Sequence, residues 1–354
     1  MEAKQSFYRK LPKVELHAHL NGSISQSTIY KLIKYHKDKN KTDFVLPEAW
    51  QVSIAKGEQR SLEDCFDIFK LIHKLVDDTN AVKMVTRDVV QEFAEDGVRY
   101  LEIRTTPRAN TQNGMSKTAY IDAVLAGVGE ALSGDSDIIV KLLLSIDRRQ
   151  SFQDAINTVE LASQYRDKSP PHCSVVGVDL SGDPSAGDIP ELVPALTQAK
   201  KNGLKLALHV AEIVNNKDTE SLLALLPDRI GHGTYLLPSK GGCQQFVDMV
   251  QQHKIPIEMC LTSNVKGRTV AGYLDHHFKY WYDANHPISV CTDDKGVFAS
   301  DLSDEYSIVA QTFGLSNEEV WTLSEAAIDQ CFASDTTKQQ LKRIWKDNKP
   351  CSSN

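Results

Sequence analysis

Two histidines one residue apart, His17 and His19, close the apolar run Val14-Glu15-Leu16-His17-Ala18-His19-Leu20. In an extended strand, side chains two positions apart share a face, so both imidazoles can reach one ion. The pair alone says little. With 11 histidines in 354 residues, chance supplies about a third of such a pair. The partners carry the argument: His209 ends the run 204–209, His232 ends 228–232, and Asp293 follows 287–292. Three imidazoles (His17, His19, His209) and the Asp293 carboxylate suit Zn²⁺, which takes N and O ligands and keeps one position open for water in catalytic sites. Zinc would lower the pKa of that water from about 15.7 to about 7, a gain of about 12 kcal/mol. One zinc ion per chain is the expected cofactor.

Glu212 and His232 offer proton chemistry beside the ion. Glu212 stands three residues after His209 in His-Val-Ala-Glu. A carboxylic acid there can protonate a substrate, an effect of about 10²–10⁴ in rate. Taken without His209, the same glutamate would be a solvated helix-start residue favoured by the dipole. His232 lies between Gly231 and Gly233, which let the backbone approach closely. It can orient the water, deprotonate it, or serve as a fourth imidazole ligand; the residues do not choose. Asp294 is either a solvated neighbour of Asp293 or a carboxylate aimed at substrate.

The elements that must position these groups are legible as alternation. Apolar or β-branched runs at 13–17, 98–104, 138–146, 174–180, 204–209, 228–232, 256–260 and 287–292 read as eight strands. Between them lie segments of helical periodicity, such as Leu62, Phe66, Phe69, Ile72 and Val76, or Val82, Val85, Val89, Val90 and Phe93. Strands alternating with helices imply parallel crossovers. Eight is the count of a (β/α)₈ barrel, whose active sites gather at the C-terminal ends of its strands. A doubly wound open sheet fits worse: no Gly-x-Gly-x-x-Gly follows a strand, and polar residues accumulate after several strands, not at one switch point. A barrel needs about 250 residues, so extra helices are expected at 21–97 and 301–347. No linker, low-complexity tract or repeat divides the chain, and 1–354 reads as a single domain.

A net charge of −7 without a basic block excludes nucleic acid as a partner. MEAKQSFYRK has no apolar core, and no run of 18 apolar residues follows, so neither a secretory signal nor a membrane span is expected. Seven cysteines, an odd number without CxxC, read as reduced thiols of a cytosolic protein. Cys65, Cys260 and Cys291 fall in apolar segments, where packing is their role. The segment 40–60, with Trp50 and Gly57, reads as a lid between helices. A monomer acting on a small molecule is expected.

The set H-A-H-L-N-G, S-G-D-P, L-H-V-A-E, G-H-G-T and C-T-D-D, in that order over about residues 10–345, resembles the adenosine deaminase family of metal-dependent hydrolases. The similarity is greatest to its adenosine-deaminase-like branch, the N6-methyl-AMP deaminases. The resemblance implies that His17, His19, His209 and Asp293 bind zinc and that Glu212 protonates purine N1. It also implies that His232 helps to activate the water without being a ligand, that Asp294 contacts N7, and that Gly182, in Leu180-Ser181-Gly182-Asp183-Pro184, donates its backbone N–H to N3. The reaction implied is hydrolytic loss of the C6 amine from an adenine ring. The other zinc deaminase pattern, H-x-E with P-C-x-x-C, is absent.

Substrate choice turns on Asn21. Ordinary adenosine deaminases carry an aspartate there, which accepts a hydrogen bond from the ribose 5′-hydroxyl. A 5′-phosphate about 4 Å from that aspartate would cost about 4 kcal/mol per unit charge at an effective dielectric of 20. Asparagine removes the penalty and adds N–H donors. Arg104-Thr105-Thr106-Pro107-Arg108, ending the second strand, offers hydroxyls and a guanidinium fork suited to phosphate; alone, Thr105 and Thr106 would be strand-end residues and Arg108 a surface charge. The resemblance adds His73 and Asp147 to a substrate site that also holds His19, Asn21, Thr105, Thr106, Pro107, Arg108 and Gly182. From the residues alone, His73 is a core histidine on the apolar face of its helix, and Asp147 is the partner of Arg148 or Arg149.

Together these readings describe a cytosolic zinc-dependent deaminase converting N6-methyl-AMP to IMP and methylamine. The alternatives are an adenosine deaminase acting on the nucleoside, and an inactive nucleotide-binding barrel. A binding module needs neither Glu212 nor an open zinc position, which argues against the latter.

Overall fold

In the computed structural model, residues 7–39, 62–134, 137–168 and 173–349 are described. The segment 40–60 read as a lid lies outside them, as do the side chains of Leu62, Cys65 and Phe66.

The eight apolar runs form β1 (Lys13–His19), β2 (Val98–Thr105), β3 (Ile139–Asp147), β4 (Cys173–Ser181), β5 (Lys205–Val210), β6 (Arg229–His232), β7 (Ile257–Met259) and β8 (Ile288–Val290). Each strand pairs in parallel with the next. The seam between β8 and β1 is drawn together by a parallel bridge of Ala18 with Asp293. Asp293 N donates to His17 O at 2.8 Å, and His19 N donates to Asp293 O at 2.9 Å. The fold is therefore a (β/α)₈ barrel, as the alternation predicts. Its seam is stitched by residues of the expected metal site.

The insertions fall where expected. Helices Gln26–Asp38, Leu62–Leu75 and Thr79–Glu95 separate β1 from β2, and Lys295–Phe298, Leu302–Phe313, Asn317–Ala326 and Asp335–Asn348 follow β8. Side-chain caps start two of them: Ser25 accepts from Thr28 N at 3.3 Å and Asp78 from Ala81 N at 2.9 Å, each satisfying an N–H the helix leaves unpaired. Ile72, Val76, Val82, Val85, Val89, Val90 and Phe93 are buried, and Phe69 is half-buried. Among the described residues, no helix is long and apolar enough to cross a membrane.

Inside the barrel the usual aliphatic layers give way to charge. Glu15, Glu102, Arg104, Asp179, Arg229 and Glu258 are all completely buried. Arg104 bonds Asp179 at 3.1 Å and Glu258 at 2.9 Å, and Arg229 bonds Glu258 at 2.6 Å and also Glu102. Replaceable by apolar packing at little or no cost to stability, such pairs point to a positional role. They form the floor of the site above.

Candidate active site

His17 and His19 sit on β1 with opposite degrees of enclosure: His17 is fully buried, and His19 opens to the cavity above. His209 arrives from β5 and Asp293 from the seam. The four ligand atoms lie within 4.8 Å of one another. His17 Nε2 is 3.1 Å and His19 Nε2 3.3 Å from Asp293 Oδ1, and the Nε2 atoms of His19 and His209 are 3.2 Å apart. Ligands in a tetrahedron at about 2.05 Å from an ion stand about 3.3 Å from each other, so these separations match the edges of a coordination shell.

Hydrogen bonds behind the rings fix which nitrogens are free. His17 Nδ1 donates to Glu258 Oε2 at 2.6 Å and His209 Nδ1 to Asp179 Oδ1 at 2.9 Å, leaving each Nε2 with a lone pair toward the cluster. His17 Nε2 is buried without a hydrogen-bond partner, an expensive arrangement unless a ligand takes it up. Burial pushes the His17 pKa down, and holds that of His209 at about 3. Burial opposes charge on His19 too, yet Asp293 and Asp294 raise it to about 9. The cluster draws positive charge, and its N and O donors fit a metal ion.

The next residues complete the chemistry. Glu212 stands on the bend after β5, ahead of the helix Asn216–Leu223, so it is not the helix-start residue that its sequence position allows. Its side chain is only 13 % exposed, with Oε1 3.9 Å from His232 Nε2. Burial raises its pKa, against the pull of His232 and Arg148, and favours the protonated form that a general acid needs. Asp294 Oδ1 is buried without a partner; burial and the neighbouring Asp293 push its pKa well up, so it can present an O–H. Ala211, His232 and Asp293 all adopt left-handed backbone (φ 53°, 62° and 62°), strain that clusters where strand ends turn into the site.

His19, His209, Glu212, His232, Asp293 and Asp294 all line one cavity of about 250 Å³. Asn21, Thr106, Arg108 and Asp147 line it as well. Asn21 Oδ1 is buried without a partner. His73 is exposed to the cavity and is not the core histidine its helix position implies; enclosure by protein and the charges of Arg108 and Arg149 still lower its pKa to about 3. Thr105 is buried with its hydroxyl 2.6 Å from Tyr120 OH, and Pro107 is buried and is not part of the wall. Arg104 turns into the floor, so of the motif's two forks the one left is Arg108, one nitrogen of which donates to Val76 O. Asp147 both lines the cavity and bonds Arg149. Gly182, at φ 97°, lies against it: an added Cβ would stand 2.8 Å from Asp147 Oδ1.

Sequence reasoning missed the layer that holds this machinery. Asp179, Glu258 and Ser263, which donates to Asp293 Oδ2 at 2.6 Å, were not singled out. A charged residue inside an apolar strand, as in Val-Gly-Val-Asp-Leu and Ile-Pro-Ile-Glu-Met, is the signal that could have found the first two. Gly22 was missed as well: a Cβ there would fall 1.6 Å from Asp294 Oδ1.

Residues 12–346 match the family described as adenosine deaminase. The chain belongs to that family. It is thereby an enzyme, a deaminating hydrolase. A cow (Bos taurus) protein named N6-methyl-AMP deaminase is 50% identical over 348 residues, covering 98% of this chain and 97% of its own length. An Arabidopsis thaliana protein named N6-mAMP deaminase is 39% identical over 363 residues, 97% of this chain and 98% of its own. The crystal structure of Arabidopsis ADAL complexed with IMP has a TM-score of 0.86 at 40% identity, covering 98% of each chain. Membership of the adenosine deaminase family and the His/Asp donor set together indicate a metal site.

Proposed function

We propose that this chain hydrolyses the C6 amino group of an adenine nucleoside monophosphate, N6-methyl-AMP foremost, yielding IMP and methylamine. One observation carries the reading. A single cavity is lined both by His19, His209, Asp293 and Glu212 and by Asn21, Thr106 and Arg108, and the buried His17 completes the first group. A purine nucleotide has matching parts: a ring to be attacked and a phosphate to be held. The names of the relatives and the IMP bound to the Arabidopsis protein support the same substrate class.

His17, His19, His209 and Asp293 would hold Zn²⁺, which when bound supplies acidified water at neutral pH. Glu212 gives its proton to N1 as a water oxygen bonds to C6, so the electron pair displaced from the C6–N1 double bond ends in an N–H bond and not as charge on N1. Asp294, carrying a proton, donates to N7, and the Gly182 backbone N–H to N3. The C6–N bond then breaks; of the water's two protons, one leaves on the amine and the other restores Glu212. Asn21 and Arg108 meet the phosphate, and the carboxylate that lines the cavity with them, Asp147, is paired with Arg149.

A turnover panel of N6-methyl-AMP, AMP and their two nucleosides tests the reading. The nucleotides should be used with much higher kcat/KM, N6-methyl-AMP most of all. Preference for the nucleosides would overturn the phosphate assignment, and no turnover of any of the four would overturn the reaction.

A further inference from the structure

His232 meets the site differently from the metal-binding histidines. His17 and His209 turn Nδ1 toward carboxylates; His232 turns Nδ1 toward the side-chain amide of Asn264, 3.2 Å from Nδ2. The direction of that bond can be traced to a group with no freedom. The backbone N–H of Phe278 donates to His276 Nδ1 at 3.0 Å. A ring that accepts at Nδ1 carries its proton on Nε2 when neutral, and burial pushes the His276 pKa well down. His276 Nε2 therefore donates to Asn264 Oδ1, 3.0 Å away.

With its oxygen so engaged, Asn264 must offer its NH₂ to His232 and to Thr269 Oγ1, at 3.2 Å. The Thr269 hydroxyl in turn donates to Asn264 O at 3.1 Å, which leaves a lone pair for the amide. Rotating the amide would set its NH₂ against the N–H of His276. His232 thus accepts at Nδ1 and keeps its proton on Nε2, which faces Glu212 Oε1 at 3.9 Å and Asp293 Oδ2 at 3.8 Å. The backbone is gripped as well: His277 Nε2 donates to His232 O at 2.7 Å, and the rings of His276 and His277 stack at 4.2 Å.

We propose that Phe278 N–H, His276 and Asn264 form a one-way hydrogen-bond relay that locks His232 as an Nε2–H donor. His276 and Asn264 are positioning residues, and His232 orients the attacking water by donating to it, while the water's proton goes to the Glu212 carboxylate left when N1 is protonated. The catalytic part rests on the deaminase reading above. The tautomer does not.

Selective ¹⁵N labelling of histidine, with His232 assigned by the signals lost in His232→Asn, reads the ring directly in the zinc-loaded protein. Wild type should show a hydrogen-bearing Nε2 and a lone-pair Nδ1. Asn264→Asp keeps the shape but accepts from both rings, so the two nitrogens should exchange character. In that variant kcat should fall about tenfold or more with KM within about threefold, since orientation of the reacting water is lost and nucleotide binding is not. Zinc content should stay at wild-type level. His276→Gln, which still offers an N–H to Asn264, should keep the wild-type signature, and His276→Leu should lose it. A protonated Nδ1 in wild type would overturn the relay even if no variant folded. A reversed tautomer with unchanged kcat would overturn the positioning role. If wild type turned over no purine nucleotide, the deaminase reading would fall while the ring signature still judged the relay.

Discussion

The two groups of residues around the cavity, the proposed metal end and the proposed recognition end, are built on different principles. At the metal end each of three ligands has a second partner behind it: His17 has Glu258, His209 has Asp179, and Asp293 has Ser263. These side chains stand on strand ends whose spacing the barrel fixes, and Asp293 is also stitched into the seam by its own main chain. At the other end Asn21 Oδ1 is buried with no partner, His73 is exposed to the cavity from a helix, and Asp147 pairs with a largely exposed arginine. The metal-end side chains are fixed from behind, although His17 Nε2 and Asp294 Oδ1 there also lack partners; the recognition-end side chains have less such support. Preorganisation is concentrated where charge must develop, which is where it contributes most to rate.

The sharpest break of this contrast is loss of a ligand. His209→Ala leaves three donors and takes from Asp179 one of its two partners, Arg104 remaining. Zinc and activity should disappear together, with metal content and turnover measured on the same preparation. Full activity in metal-depleted protein would remove the ion from the mechanism.

Glu212→Gln tests the proton rather than the scaffold. The shape is kept and the acid removed, so kcat should drop by about 10²–10⁴ with zinc content and nucleotide affinity near wild type. Normal turnover would make Glu212 a structural residue only.

At the recognition end losses should be smaller and should depend on the substrate. Arg108→Ala removes a charge-assisted contact of about 1.5–3 kcal/mol, or about 10–150-fold in kcat/KM for the monophosphate, with little change for the nucleoside. Asn21→Asp should act in the same direction by placing a carboxylate near the phosphate. Arg108→Lys should recover part of the loss, and only part if both guanidinium nitrogens are used. Equal losses on nucleotide and nucleoside would mean that neither residue reads the phosphate.

The same contrast explains what could be read from the sequence. All eight strands were legible because each buries an apolar run, and His17 with His19 because a strand's two-residue period places them on one face. His209, His232 and Asp293 were legible because each follows such a run. The recognition end depends on helix register and on an irregular segment. Periodicity put His73 in the core, and only the family resemblance suggested the cavity it faces. Pro107 belongs to its motif by position, but the irregular segment after β2 buries it. The floor stayed hidden for another reason: Asp179 and Glu258 look like interruptions of apolar strands until the arginines that neutralise them are brought in from β2 and β6.

Asp179→Asn probes that floor and should have the smallest effect of the set. Asparagine keeps the volume and an oxygen that can still accept from both His209 Nδ1 and Arg104, which now share Asp179 Oδ1 while Oδ2 has no partner. What is lost is the negative charge. Arg104 retains Glu258 and the carbonyl of Leu16, so it is not left as an unpaired buried charge and the variant should fold. What weakens is the basicity that the carboxylate's charge lends to His209. Loss of such an outer partner costs about 10–100-fold in metal affinity. Competition with a chelator should therefore strip zinc from the variant at lower chelator concentration, while turnover at saturating zinc stays within about threefold of wild type, because Glu212 and the cavity are untouched. A melting curve of the metal-free protein separates this from a general loss of stability. Unchanged zinc affinity would mean that barrel packing alone holds His209, and that the charged floor contributes nothing to the metal end.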